Sequence, residues 1–365
     1  MKVLQTAGLL ACILIASTPA LAQESCHEMT DQTTHHNHSA MHSAPIGVMR
    51  EHMHGAGKWM ASYRFKHMAM DGLRDGTRDI SAESAVTNYA NPNAPPSTFR
   101  VAPTEMSMDM HMLGVMYGVT DWLTVMGMGT YLKKEMKSIT FSGMSGTTPL
   151  GTNTVKTSGF GDSNIVGLVR LYNSEMHHLH AQAGMSAPTG SITKRGEMLT
   201  PMNTRMNMRL AYGMQLGSGT WDFLPGLTYT GQNGPWGWGT QYQGFVRLES
   251  ENDEGYRQGN KHMLTGWATY AFKPYLEGHA RLQGEYMGKI HGRDAQIVSP
   301  MTGSDPDNYG GRLIDAGLGL TFKPKIGQRR NNRLGLEVTA PIYQNLNGPQ
   351  LKRDWSITVG WGQRF

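Results

Sequence analysis

Apolar and polar residues alternate through most of this chain in short stretches, the two-residue period of strands with one greasy face. The carboxy terminus shows it most cleanly. Trp355, Ile357, Val359, Trp361 and Phe365 alternate with Ser356, Thr358, Gly360, Gly362 and Arg364, and only Gln363 breaks the apolar set. Over 58–68, Trp59, Ala61, Tyr63 and Phe65 alternate with Met60, Ser62, Arg64 and Lys66, and Glu105 to Met112 alternates strictly. Further segments lie at about 122–134, 161–173, 177–187, 205–216, 221–231, 237–248, 261–272, 276–289, 311–323, 332–343 and 353–365. Turn chemistry separates them, as in Gly217-Ser218-Gly219, Gln232-Asn233-Gly234-Pro235 and Asp305-Pro306-Asp307. The Gly/Ser/Thr-rich stretch 137–160 reads as a surface loop.

These spacings predict an all-β meander of hairpins, not strands alternating with helices. Many segments approach the roughly 9–11 residues of a tilted membrane-crossing strand, and beyond the amino terminus no run nears the roughly 18 apolar residues of a membrane helix. The expectation is an antiparallel transmembrane β-barrel. The segments number thirteen, but single-chain bacterial barrels close with an even count. About 12 strands are therefore expected, with about 14 as the alternative. The weak places are 69–103 and 232–260.

The two ends refine this. Lys2, the mostly apolar stretch Val3–Ala16 and Ala20-Leu21-Ala22 read as a signal peptide over 1–22. Residues 23–57 are His/Met-rich and polar, and are expected to form a mostly disordered periplasmic segment ahead of a barrel over 58–365. A last strand ending in Phe365 resembles the assembly signal of bacterial outer-membrane barrels. That resemblance implies the bacterial outer membrane as location. Membrane lipid and lipopolysaccharide would surround the barrel, and the barrel-assembly machinery would insert it.

Composition changes the picture little. A mean hydropathy of −0.42 would suit a soluble protein, but in a barrel only alternate residues meet lipid and the average conceals them. The net charge of +5 comes without a long charge run, so nucleic acid is not an expected partner. Cys12 falls in the signal peptide, leaving Cys26 with no intramolecular disulfide partner.

Candidate chemistry is concentrated near the amino terminus. Cys26, His27 and Met29 offer a compact soft site for Cu(I), and His35, His36, His38 and His42 offer imidazoles for Cu(II), Ni(II) or Zn(II). The competing reading is a solvated spacer, since no closed Cys/His spacing of a structural zinc site appears. The methionines are a second anomaly, 27 in all. Met106, Met108, Met110, Met112 and Met116 share one strand face, expected to meet lipid as adaptable apolar surface; a thioether relay for Cu(I) is the less favoured reading. Glu105, Asp109 and His111 would then face the lumen together with Arg64 and Lys66. Lumenal arginines such as Arg247 and Arg281 are expected to pair with carboxylates such as Glu277 and Glu285 instead of forming an anion-selecting stripe. His177, His178 and His180 come with no nucleophile motif, which disfavours an outer-membrane enzyme.

Several stretches resemble one family in order and spacing: Tyr117-Gly118-Val119-Thr120-Asp121-Trp122, Gly159-Phe160-Gly161-Asp162, Ala187-Pro188-Thr189-Gly190, Met214-Gln215-Leu216-Gly217-Ser218-Gly219 and the run Pro341 to Gln350. Together they resemble the outer-membrane transporters grouped with the MetA-pathway phenol-degradation proteins, from about residue 46 onward. The resemblance implies a barrel akin to long-chain fatty acid and aromatic-hydrocarbon channels. It names no substrate and carries no catalytic residues or cofactor. The expected function is an outer-membrane channel or transporter for small molecules, hydrophobic or aromatic ones among them. The alternative is a copper-linked protein that binds or exports metal through its His/Met-rich segment.

Overall fold

The computed structural model describes residues 42–325 and 332–365. Eleven strand elements form a closed antiparallel ring: Trp59–Gly76, Val101–Gly118, Leu123–Phe141, Ser163–Asn173, His177–Ala187, Gly226–Asn233, Trp236–Arg247, Lys261–Lys273, Leu276–Met287, Gly311–Phe322 and Asn332–Arg364. An odd ring cannot be antiparallel at every seam. The last element resolves this, because its 33 residues would extend roughly 110 Å as one strand, far beyond a hydrocarbon core of about 30 Å. It turns back near Gly348, which has φ +70°. Residues 334–346 pair with Gly311–Phe322, and 346–364 pair with Trp59–Gly76, Arg364 lying opposite Met60. The chain therefore crosses the barrel twelve times.

The segment in excess of parity is 205–216. Arg205–Arg209 pairs with Arg195–Leu199 as a separate ribbon, and Tyr212–Met214 is a single turn. The reason is physical: alternation reports a half-buried ribbon, not what covers it. Here Met198, Leu210 and Met214 bury against Met136 and Val155, not against lipid. The stretch 137–160 is likewise more ordered than a loop. The Leu123–Phe141 strand continues through most of its first part, and Pro149–Phe160 returns along it.

Connections are short at one end of the barrel, as at 119–122, 174–176 and 234–235, and long at the other. Between the ends the outward positions are apolar and exposed, among them Leu113, Ile165, Leu264, Leu282 and Leu318. Trp59, Trp122, Trp236 and Trp361 ring the short-turn end, and Tyr242, Tyr286, Tyr343 and Trp355 lie toward the long-loop end. An apolar belt between two aromatic girdles is what a bilayer selects. No helix among the described residues is long and apolar enough to cross a membrane.

Residues 42–57 do not stand apart from the barrel: they run inside it. Ala44, Ile46, Val48, Arg50, Glu51, His52 and His54 are buried. Inward-facing glycines make the room. A Cβ on Gly335 or on Gly360 would meet Ile46 at 2.7 Å, and one on Gly118 would meet the Gly55 carbonyl at 2.0 Å.

Candidate functional site

A cavity of about 600 Å³ lies in the lumen above this inner segment. Gly47 and Met49 help to floor it, and Tyr212–Gln215 with Thr302–Tyr309 help to close it from the long-loop side. The roof is tied to the wall. The Lys134 ammonium donates to the carbonyls of Gly213 (2.9 Å) and Gln215 (2.6 Å). The Tyr309 hydroxyl donates to the Gly303 carbonyl and accepts the Gly213 N–H, and burial raises its phenol above the ordinary range.

Three buried carboxylates hold the inner segment against the wall. Glu51 accepts from Arg333 at 2.8 Å and lies 3.1 Å from His52. Glu337 accepts the Gly47 N–H at 3.1 Å and pairs with Arg281. Glu277 accepts the Ser43 N–H at 3.1 Å and the Lys323 ammonium at 2.6 Å. From the opposite wall, His180 Nε2 donates to the Arg50 carbonyl at 2.9 Å, and Gln241 donates to the Met49 carbonyl at 2.9 Å. Charges in a low-dielectric lumen persist when paired and hydrogen-bonded. Each of these groups therefore anchors the segment through a contact that would be costly to break halfway.

Around the cavity, Arg353 bridges Asp315 and Glu285, and Lys261 joins Glu285 at 3.1 Å. Lumenal basic groups are thus largely neutralised by carboxylates, Arg247 pairing with Asp222. Arg64 and Lys66 also line the cavity. No carboxylate among the described residues lies within ion-pair distance of either. They are the cationic groups available to a guest.

Arg64 and Lys66 thus face inward, whereas Glu105, Asp109 and His111 face outward. The register settles this: Met112 lies opposite Arg64 and Met110 opposite Lys66, so these share a face. Leu113 is 61% exposed and Met112 only 7%. The polar trio sits near the long-loop end of its strand, beyond the apolar belt, where outward groups meet water and one another. Glu105 pairs with Lys137 at 2.8 Å, Asp109 with His67 at 2.7 Å, and His111 Nδ1 lies 2.8 Å from the Tyr63 hydroxyl. The reading of Met106, Met108, Met110, Met112 and Met116 as lipid-facing is corrected with it: they face the lumen, and the first four line the cavity. The sequence could not fix this, because the long connection 77–100 leaves the numbering parity of the two strands unlinked until their register is known.

Of the candidate metal ligands, Cys26, His27, Met29, His35, His36 and His38 lie outside the described residues. His42 is inside the barrel near the short-turn end. Its Nε2 is 3.0 Å from the Gly234 carbonyl and its Nδ1 3.5 Å from Glu277. No group of three or more His, Cys, Asp or Glu side chains converges among the described residues.

Residues 91–352 match the family described as "Putative MetA-pathway of phenol degradation". Among solved structures the chain is similar to the COG4313 outer membrane channel from Pseudomonas putida F1. The TM-score is 0.55 at 15% identity, covering 87% of this chain and 98% of that one. It is also similar to a Pseudomonas aeruginosa FadL homologue, with TM-score 0.44 and 8% identity over 84% of this chain and 90% of that one. No curated protein matches the sequence. The fold shared with the first of these is that of an outer-membrane barrel.

Proposed function

This chain belongs to the phenol-degradation MetA-pathway family, and on that premise we propose that it is an outer-membrane channel for small hydrophobic molecules, monoaromatic compounds in particular. The observation that carries the reading is the lumenal cavity. Its volume, about 600 Å³, lies within the span of small-molecule sites. Its wall combines flexible thioethers with Phe245, Leu351 and Tyr309, and adds the cations of Arg64 and Lys66. Thioethers pack favourably on aromatic rings, and a cation can bond a phenolic oxygen or sit over a ring face. The similar Pseudomonas putida barrel is itself an outer membrane channel.

The short-turn end is the periplasmic side in this reading, as short turns are in outer-membrane barrels. The long loops and the cavity mouth then face outward, and the inner segment closes the exit until it shifts. The protein performs no bond chemistry; its cargo passes unchanged. Equilibrium dialysis of a labelled monoaromatic against the purified barrel tests the site. One saturable site is expected, weakened in Met110→Trp, which puts a bulky ring into the cavity. Uptake no greater than that of protein-free micelles would contradict it.

A further inference from the structure

Methionine is distributed over the first three strands in a way that generic apolarity does not explain. Registered rows cross Trp59–Gly76, Val101–Gly118 and Leu123–Phe141 on the inner face. The row nearest the short turns is Met60, Met116 and Met126. The row nearest the long loops is Met70, Met106 and Met136. Each of the four rows between carries at least one methionine: Met128, Met112, Met110 and then Met68 beside Met108. The outward positions of the same strands carry Leu, Val, Tyr, Phe and Trp for their apolar surface and no methionine. An adaptable greasy wall would draw on Leu and Met alike. Selection of sulfur on one face only, in every row, points to sulfur as the functional atom.

We propose that this inner methionine column, with a three-thioether row at each end, is a binding path for a soft monovalent metal ion of the Cu(I) class. Thioethers are neutral soft ligands that favour Cu(I) over hard or borderline dications, and they need no deprotonation to bind. Both end rows reach a buried apolar cluster, with Met70 on the cavity wall outside it. Met60, Met116 and Met126 pack in one buried cluster, joined by Met53 and Met128, and Met136 clusters with Met214 and Met301, with Met106 against them. The segment that delivers Met53 also carries His52 and His54. Both are buried, their rings are 4.8 Å apart, and the Nε2 of each has no hydrogen-bond partner. These two unpartnered imidazole nitrogens, on the segment that delivers Met53, add nitrogen donors at that end of the column. Arg64, Lys66 and Lys134 stand in the intermediate rows, and their charge opposes a dication more strongly than a singly charged ion.

The test uses the full-length protein in a Cys12→Ser and Cys26→Ser background, so that the remaining sulfur is thioether. Cu(I) is titrated in competition with a chromophoric chelator, Ag(I) serves as a redox-inert probe and Zn(II) as a control. Two triple variants replace one end row each: Met60→Leu, Met116→Leu and Met126→Leu, or Met70→Leu, Met106→Leu and Met136→Leu. Leucine keeps the apolar volume, and heat-modifiable migration confirms folding. Cu(I) affinity is expected to fall roughly tenfold or more in each triple, with loss of sulfur scattering from the copper X-ray absorption spectrum and no change toward Zn(II). Failure of the parent to retain Cu(I) above Zn(II), or triples that bind like the parent, overturns the proposal. Monoaromatic binding persists in the triple at Met60, Met116 and Met126, which lie outside the cavity lining, so the channel reading stands or falls separately.

Discussion

Glu51 shows how much one residue holds. It is 5% exposed and engages Arg333 and His52 at once. Replacing one partner of a buried pair leaves the other charge stranded, at a cost of about 3–5 kcal/mol. Glu51→Gln is therefore expected to loosen the inner segment while the barrel remains folded, because the wall strands keep their own ladder. Limited proteolysis between 42 and 57 should accelerate relative to wild type, and planar-bilayer conductance should rise. At the far end, Lys134→Met removes the two hydrogen bonds that hold Gly213 and Gln215 over the cavity. It is expected to speed release of a bound aromatic without altering assembly, as a stopped-flow displacement experiment would show. Arg64 and Lys66 were legible in sequence as lumenal, since their strand alternates cleanly. Glu51, Arg333 and Glu337 were not, because they meet only when a segment some 280 residues away in sequence enters the barrel.

Among the elements, the inner segment and the glycines beneath it form a matched pair. Gly335 and Gly360 have no side chain where Ile46 sits, and Gly237 leaves room for His42. Gly360→Leu would drive a side chain into the Ile46 position. The strand itself tolerates leucine, so the segment is what must move. The expected result is a normally assembled barrel with higher basal conductance than wild type; unchanged conductance would mean that the segment does not close the pore. The staves themselves were readable from alternation, and the excess over an even count announced one misread segment. It lay at 205–216, not in the stretches 69–103 or 232–260, because a ribbon folded over the mouth shows the same period as one in lipid. The sidedness of 105–112 was misjudged for a related reason. Polarity distinguishes lumen from lipid only within the bilayer, and this strand continues past it. The polar composition of 43–57 concealed burial, since charges and backbone groups are among its main partners.

Across the whole molecule, the seam that closes the ring lies between its first strand and its last pass. Phe365 donates its N–H to the Trp59 carbonyl at 2.8 Å, at the short-turn end. The alternation that made the carboxy terminus legible is thus also the edge that would otherwise stay unpaired. Deletion of Phe365 is expected to reduce the fraction of barrel recovered folded from outer membranes, measured by heat-modifiable migration. Location, fold and lumen then combine into one account: an apolar belt outside, a methionine-rich cavity within, and an inner segment across the exit. The most direct test is the initial rate of labelled monoaromatic uptake by intact cells at low concentration. It is compared between a deletion strain and the same strain carrying wild type or Met110→Trp. Wild type should restore rapid uptake and Met110→Trp should not; a deletion strain that takes up the compound as fast as the wild type would contradict the channel account.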